Sequence, residues 1–473
     1  MSHVSGGSSG RGMRSADDPT RDLMMHDVKG SSGLARSSYA GPSVFGYETD
    51  RPLRRVAGIS VHTSPLATLG GADAGGMNVY VRELACHLAG LGLPIDLFTR
   101  RTDPSTPEVS QPCANVNVIS IAAGPAEPLP KNELFPLLPE FAEQMALYSL
   151  RQGVRYDVVH AHYWLSGWVA HLLKRYWDAP FIQMFHTTAH MKNAVSSPAH
   201  RESPLRLSIE RRLIALADSV IAANPDERAD LIWRHGASGS KVCTVPPGVD
   251  TELFSPGDQR AARQTLDLDA HHRIVLFVGR IDPIKGIDTL IDAVEQMNGE
   301  PHRDLTVLFV GGERNADGRA IGDLAVVEND VQDRNLSRRF RFVGSVPRSD
   351  LPAYYRAADV VAIPSRYESF GLVAVEAMAC GVPVVASRVG GLTFTVEEDQ
   401  TGILVPKGSA AALAEALTFL LDNPTARERM GAASRLSAER FSWPVVARTM
   451  NGVYQRLAAG HRVDLCCDED LFA

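Results

Sequence analysis

Arg366-Tyr367-Glu368-Ser369-Phe370-Gly371-Leu372-Val373-Ala374-Val375-Glu376 sets two carboxylates eight residues apart across the start of an expected helix. The apolar run Asp359 to Pro364 before it reads as a buried strand, Ser365 to Phe370 as a loop, and Gly371 to Cys380 as a helix opened by a close-packed glycine. Strand, loop and helix in that order make one unit of a parallel sheet with crossover helices. The first amides of a helix lack internal acceptors and carry its positive dipole end, so those of Phe370, Gly371 and Leu372 favour a diphosphate or sugar hydroxyls. Glu368 falls before the helix and Glu376 inside it, both able to accept hydrogen bonds from vicinal hydroxyls. For the two carboxylates alone, a solvated loop glutamate plus a helix-surface glutamate is the competing assignment, because charged side chains mostly face water.

The same alternation of short apolar runs and longer helical patterns extends in both directions. Val56–Val61, Ile95–Phe98, Val116–Ile121, Val158–Ala161, Phe181–Phe185, Ser219–Ala223 and Val242–Val245 read as strands of a first sheet. Gly76–Leu91 reads as a helix whose apolar stripe is Val79, Leu84, Leu88 and Leu91. After Pro246-Pro247-Gly248-Val249-Asp250, a turn cluster, the pattern restarts with Ile274–Val278, Thr306–Val310, Phe340–Val343, Val360–Ile363 and Val384–Ala386. The expected fold class is therefore α/β, with two doubly wound units facing a central cleft. The ranges are a tail at 1–50, a first unit at 51–250, a second at 251–444, a closing helix at 445–460 and an acidic tail at 461–473. Ligands of such sheets bind beyond the carboxyl ends of the strands, which places the site between the two units.

A chain of 473 residues, 44% hydrophobic, is too long for one ordinary core and apolar enough for two. A net charge of -7 argues against a nucleic-acid or anionic-membrane binder, which would leave a basic excess. The six cysteines, Cys86, Cys113, Cys243, Cys380, Cys466 and Cys467, show neither metal-ligand spacing nor a disulfide rhythm, so a reduced, cytoplasmic setting is expected. The first fifty residues are rich in Ser, Gly and charge without a run apolar enough for a signal or membrane anchor, and read as a disordered tail.

In the second unit, Val278-Gly279-Arg280-Ile281-Asp282-Pro283-Ile284-Lys285-Gly286 leaves a strand and enters the helix Ile287–Met297. Arg280 can fork onto two phosphate oxygens and Lys285 can add a point charge, whereas a surface pair answering Asp282 and Asp288 is the competing assignment. The stretch has neither a P-loop nor a complete Gly-x-Gly-x-x-Gly pattern, which removes support for an ATPase or dehydrogenase. In the first unit, His62-Thr63-Ser64-Pro65-Leu66 ends a strand and Asp73-Ala74-Gly75-Gly76-Met77-Asn78 opens a helix, with Gly75 and Gly76 allowing close approach to a ligand. His186 and Thr187 follow the strand ending at Phe185, where side chains face the cleft. Lys131, Tyr163, Thr187 and Arg206 each fall near a strand end or loop of this unit and together make an anion pocket, although each alone is better read as exposed or packed. His160-Ala161-His162 puts two imidazoles on one strand face, which raises a metal, but no third ligand is evident in the sequence.

Taken together, Gly279-Arg280 with Lys285, and Glu368-Ser369-Phe370-Gly371-Leu372 with Glu376, resemble the retaining glycosyltransferases of family 4 over about Val56 to Leu457. The resemblance implies two Rossmann-like domains in the GT-B arrangement, a nucleoside-diphosphate sugar like UDP-GlcNAc as donor, and transfer of a hexosyl or N-acetylhexosaminyl group. It assigns the diphosphate to Arg280 and Lys285, sugar hydroxyls to Glu368, the ribose to Glu376, and backbone contacts to Gly75, Gly76, Phe370, Gly371 and Leu372. Val61-His62-Thr63-Ser64-Pro65-Leu66-Ala67, Asp73-Ala74-Gly75-Gly76-Met77-Asn78-Val79-Tyr80 and His162-Tyr163-Trp164-Leu165-Ser166-Gly167 are similar to a narrower group, the D-inositol-3-phosphate glycosyltransferases of mycothiol biosynthesis, with relatives among sucrose-phosphate synthases. In that group the positions of His62, Asp73, Asn78, Lys131, Tyr163, Thr187 and Arg206 serve the phosphorylated cyclitol, and His186, Arg280 and Lys285 are the implied catalytic residues. Thr188-Ala189-His190-Met191-Lys192-Asn193 and Thr68-Leu69-Gly70-Gly71 depart from the group's usual pattern, which leaves a natural-product enzyme with another donor base and an aminocyclitol or thiol acceptor as an alternative. No cofactor and no divalent metal are expected; the partners are donor and acceptor, with no nucleic acid, no membrane anchor and a homodimer as the default assembly. An epimerase or hydrolase on the same architecture and a non-catalytic sugar-nucleotide-binding protein are the competing classes.

Overall fold

Two stacks of β-branched and aliphatic segments each close into a separate parallel sheet. The computed structural model describes residues 53–67, 76–194, 201–297, 304–315 and 317–461. The expected first tail, the second tail beyond His461, the Thr68-Leu69-Gly70-Gly71 stretch, Asp73, Gly75, Cys466 and Cys467 lie outside the described residues. The first sheet holds β1 (Val56–Ile59), β2 (Ile95–Arg100), β3 (Val109–Cys113), β4 (Val116–Ile121), β5 (Val158–His162), β6 (Phe181–Met184), β7 (Ser219–Ala222) and β8 (Val242–Thr244), in the spatial order β3-β4-β2-β1-β5-β6-β7-β8. The second holds β9 (Arg273–Val278), β10 (Leu305–Val310), β11 (Phe340–Gly344), β12 (Val360–Ile363), β13 (Val384–Ser387) and β14 (Gly402–Val405), ordered β11-β10-β9-β12-β13-β14. Apart from β3, every pairing is parallel, and helices cover both faces, so the strands read as near-continuous apolar runs.

The order of the strands locates the ligand site. In the first sheet the direction of winding reverses between β1 and β5, and in the second between β9 and β12. Crevices open at such reversals, beyond the carboxyl ends of the strands. His62 follows β1, Tyr163 follows β5, the Arg280–Lys285 loop follows β9, and the Glu368 loop follows β12. These four motifs leave the strands that flank the reversals, whereas His186 and Thr187 follow β6, one strand further out.

Two strands escape the sequence pattern. β3 carries Pro112 and polar residues, pairs antiparallel at the sheet edge, and shifts register between Ser110 and Cys113. β14 is four residues long and begins at Gly402, which hides it among turn residues. The missed edge strand also corrects the cysteine reading: Cys113 on β3 forms a disulfide with Cys86 on the Gly76–Gly90 helix, with Cα atoms 6.0 Å apart. The two are 27 residues apart and meet only because β3 pairs beyond β4, so spacing alone could not reveal them. Cys243 and Cys380 are buried thiols, and burial pushes Cys380 up to about 12.

The chain crosses between the sheets twice, and the crossings hold each other. Val249 N donates to Phe441 O at 2.8 Å and Trp443 N donates to Val249 O at 3.2 Å. The Trp443–Ala458 helix then lies against the first unit: Trp443 is fully buried, 5.7 Å from the Tyr80 ring and 6.1 Å from that of His87, while the Tyr454 hydroxyl bonds His160 Nδ1 at 2.7 Å. Among the described residues no helix is long and apolar enough to cross a membrane. Because Trp443 anchors the return helix in a tightly filled space, Trp443→Ala is expected to cost about 3–5 kcal/mol by urea denaturation. A loss below about 1 kcal/mol would show that the crossing does not depend on this ring.

Candidate active site

The Arg280–Lys285 loop and the Glu368 loop are stitched to each other. Arg366 N donates to Ile284 O at 2.7 Å, and Lys285 Nζ donates to Glu368 Oε2 at 2.6 Å. Gly286 sits at φ 65, and a Cβ there would lie 2.0 Å from the Pro364 carbonyl oxygen, so only glycine permits this approach. Arg280 is mostly exposed and has Asp282 at 3.8 Å, the long, weak kind of surface contact that a polyanion would displace. The Leu372–Ala379 helix begins with Ala374 and Val375 donating to Gly371 O, which leaves the preceding amides outside the helical ladder.

Behind this helix start, Glu376 proves not to be a surface residue. It is 8% exposed, its Oε2 accepts from the Tyr355 hydroxyl at 2.9 Å, and Arg348 Nη2 stands 3.6 Å from Oε1. Burial pushes its carboxyl above the usual range, and Arg348 and Tyr355 oppose that rise. The sequence reading missed Gly390 and Gly391. Gly391 N donates to Glu368 O at 2.9 Å, and a Cβ on Gly391 would lie 2.4 Å from Ser369 O, so this pair backs the Glu368 loop. Their signal was a Gly-Gly pair just after a strand, β13.

The first unit contributes a compact aromatic and cationic group. The His62 and Tyr163 rings lie 4.4 Å apart, and the Arg206 guanidinium stacks 4.6 Å from the Tyr163 ring centroid. Arg206 is only 2% exposed: Nε donates to Glu210 at 2.7 Å, Nη1 lies 3.1 Å from Glu202, and Nη2 donates to Thr187 O at 2.6 Å. Thr187 Oγ1 donates to His186 O. Asn78 is buried and braces the loop after β1, donating to Thr63 Oγ1 at 2.6 Å and Ser64 O at 2.7 Å. Lys131 opens a single turn, Lys131–Glu133, in the segment leaving the carboxyl end of β4. Thus His62, Tyr163, Thr187, His186 and Arg206 come together, while Asn78 supports them from beneath.

Two backbone conformations mark the same place. Among the described residues, six other than glycine have positive φ; four are Asn or Asp, which tolerate it, and the remaining two are Tyr163 at 77° and His186 at 60°. Histidine is one of the residues that tolerate this region, whereas a bulky tyrosine held there stores strain of the kind found at binding sites. His186 Nε2 meets His162 Nδ1 at 3.1 Å, and the His162 and His160 rings lie 4.1 Å apart. The third imidazole that the sequence did not reveal is therefore His186, yet no group of His, Cys, Asp and Glu among the described residues is placed to hold a metal ion. Burial pushes His160 and His186 down to about 3, so both are neutral near pH 7.

The two units touch around this cleft. A Cβ on Gly76, at the start of the Gly76–Gly90 helix, would lie 2.9 Å from Leu372 Cδ1. Asn224 Nδ2 donates to Ser369 O, the Tyr367 hydroxyl to Met191 Sδ at 3.0 Å, and Thr393 Oγ1 to Asp226 at 3.2 Å. Two helix starts, one from each unit, therefore meet beside the loop that carries Glu368 and its partner Lys285, with Arg280 on the same turn as Lys285.

Residues 74–253 match the family described as Glycosyltransferase Family 4, and residues 258–437 that described as Glycosyl transferases group 1. The D-inositol 3-phosphate glycosyltransferase of Corynebacterium glutamicum strain R is 42% identical over 415 residues, covering 87% of this chain and 98% of that protein. The solved sucrose-phosphate synthase of Thermosynechococcus elongatus is 39% identical with a TM-score of 0.78, over 86% of this chain and all of that one. Anabaena HepE, solved with UDP-glucose, shares the fold at 21% identity and a TM-score of 0.63, over 84% of this chain and 98% of its own.

The buried imidazoles give the protein an acid sensitivity of known sign. His160 and His186 protonate near 6.5 when unfolded but only near 3 when folded, so the stability they confer is complete above 6.5 and is lost as pH falls toward 3. Each is expected to cost about 2 kcal/mol at pH 5 relative to pH 7. In denaturant titrations, the stability gap between the wild type and His160→Gln should narrow by that amount between pH 7 and 5; a constant gap would refute the assignment.

Proposed function

This chain belongs to the family-4 glycosyltransferases, and from that footing we propose that it moves a sugar from a nucleoside-diphosphate sugar to an inositol phosphate, with retention of anomeric configuration. The observation that carries this reading is the meeting of two helix starts, Gly76 against Leu372, beside the paired Lys285 and Glu368. Amides and cations gathered there answer the charge that grows on a departing diphosphate, commonly the largest catalytic contribution. Donor binding draws Lys285 from Glu368 to the diphosphate and frees the Glu368 carboxylate to accept hydroxyls of the transferred sugar. Glu376, already buried and oriented, accepts the ribose hydroxyls.

The reaction is front-face. The acceptor oxygen bonds to the anomeric carbon as the bond from that carbon to the β-phosphate oxygen breaks, and a β-phosphate oxygen takes the acceptor's proton. No protein nucleophile takes part. His186 is a neutral imidazole that orients the sugar through the ring nitrogen not engaged with His162, and closure of the units keeps out water that would hydrolyse the donor. No divalent metal enters the step, and turnover in excess EDTA is expected to equal turnover without it. The acceptor's phosphate is held by Lys131, Tyr163, Thr187 and Arg206, with Glu202, the more accessible of the two carboxylates on Arg206, giving way to it. Cytoplasmic residence and a homodimer complete the proposal; the first now stands on the donor rather than on the cysteines, given the Cys86–Cys113 bond.

A hexose phosphate as acceptor is the second reading, favoured by the 39% identity to a sucrose-phosphate synthase. UDP, GDP and ADP sugars offered with inositol phosphate, hexose phosphate or no acceptor distinguish these, and donor consumption without acceptor would indicate a hydrolase. Lys285→Ala and Arg280→Ala are each expected to lower kcat/KM by about a hundredfold or more while leaving the fold intact. Near-normal activity in both would sink the diphosphate assignment. Arg206→Ala, and Lys131→Ala as the variant less able to disturb packing, should raise acceptor KM about tenfold with donor KM unchanged; equal effects on both substrates would remove the phosphate pocket.

A further inference from the structure

Arg348 has no role in the reading above, yet it stands where the two units and the expected ribose site meet. It lies in the loop that follows β11 and is only 12% exposed, with Nη1 3.6 Å from Glu83 Oε1 and Nη2 3.6 Å from Glu376 Oε1. Glu83 belongs to the Gly76–Gly90 helix of the first unit, and Glu376 to the Leu372–Ala379 helix of the second. One guanidinium therefore spans the two helices whose N-termini form the diphosphate site. Its other face rests 5.2 Å from the Phe254 ring centroid, just past the first crossing between the units, and Phe254 packs edge-on against Tyr355 at 5.8 Å. Tyr355 in turn donates to the same Glu376 carboxylate.

A carboxylate buried as deeply as Glu376 needs a counter-charge to stay ionised, and Arg348 is the cation beside it. That cation is also attracted across the interface to Glu83, whose Oε1 it shares with Arg82 at 3.0 Å, an attraction that would be lost if the units parted. We propose that Arg348 is a positioning residue that couples donor binding to closure: it holds Glu376 ready for the ribose hydroxyls and, through Glu83, ties that readiness to the helix that opens the first unit's side of the site. The inference rests on the reading of Glu376 as the ribose acceptor. By linkage, a bridge present only in the closed form tightens nucleotide binding, and bound nucleotide tightens closure by the same factor.

The test is a double-mutant cycle on Glu83→Gln and Arg348→Gln, read by calorimetric titration with whichever of UDP, GDP and ADP the wild-type protein binds most tightly. Arg348→Gln should weaken that nucleotide about tenfold, Glu83→Gln by less, and the double variant no more than Arg348→Gln alone. Arg348→Lys should recover part of the loss, which separates loss of charge from loss of fold. In steady-state assays Arg348→Gln should raise donor KM with acceptor KM unchanged, and nucleotide-induced compaction seen by small-angle scattering should shrink in both single variants. Additive effects in the cycle, or nucleotide binding by Arg348→Gln within twofold of wild type, would overturn the coupling. Glu376→Gln keeps the two ideas apart: if it binds nucleotide poorly while the cycle is additive, only the coupling fails, whereas wild-type binding by Glu376→Gln removes the ribose reading and the inference with it.

Discussion

Two helix N-termini pointed at one place are an electrostatic imposition on a fold. At Gly76 and Leu372 the positive ends of a 15-residue and an 8-residue helix come into contact, one from each sheet. Their early amides lack helical acceptors, and the cations Arg280 and Lys285 stand alongside. Such a concentration of positive charge calls for neighbouring carboxylates and for packing that holds the units together. Here the holding is done by packing and by neighbouring carboxylates: Glu368 takes Lys285, Asp282 faces Arg280, and the crossings at Val249 and Trp443 keep the sheets together.

That constraint explains why the carboxylates are distributed as they are. Glu368 is on a loop, pairs with a lysine that a diphosphate would claim, and can change partners at small cost because the pair remains part-exposed. Glu376 is inside a buried helix, held by a tyrosine hydroxyl and an arginine, and would lose much more by moving. The first suits a group that must meet a reacting sugar and the second one that must recognise a fixed ribose. The eight-residue spacing noticed in the sequence is thus the separation between an exchangeable carboxylate and a fixed one.

The meeting of the Lys285 and Glu368 loops was legible because both are local in sequence. Arg280 and Lys285 share one turn, and Glu368 and Glu376 share one loop and helix, so strand-end logic alone brought them to the cleft. The first unit's group is assembled from residues that are distant along the chain. His62 stacks on Tyr163, Tyr163 carries Arg206, and Arg206 reaches the Thr187 carbonyl, contacts that no periodicity encodes. The same limit hid the Cys86–Cys113 bond, whose second partner lies on an edge strand broken by Pro112, and it hid Gly390 and Gly391, which matter for what their missing side chains allow. The burial of Arg206 and Glu376 was also out of reach, since a charged residue in a sequence is read as solvated until a specific partner is seen.

The buried partners make the acceptor side a different kind of site from the donor side. Arg206 already has two carboxylates, a carbonyl and an aromatic face, so an anionic acceptor cannot simply add to it and must instead compete with Glu202. Binding by exchange discriminates more sharply than binding to an open cation, because a ligand that lacks the charge to replace the carboxylate gains nothing from the arginine. The left-handed backbones at Tyr163 and His186 fix the geometry in which the proposed exchange would take place. Under the proposed assignments, selectivity for a phosphorylated acceptor would follow from the pre-existing pairing of Arg206, much as readiness for a diphosphate would follow from the pairing of Lys285 with Glu368. In the proposed reaction each cation exchanges an internal carboxylate, Glu368 on Lys285 and Glu202 on Arg206, for an anion of the substrate.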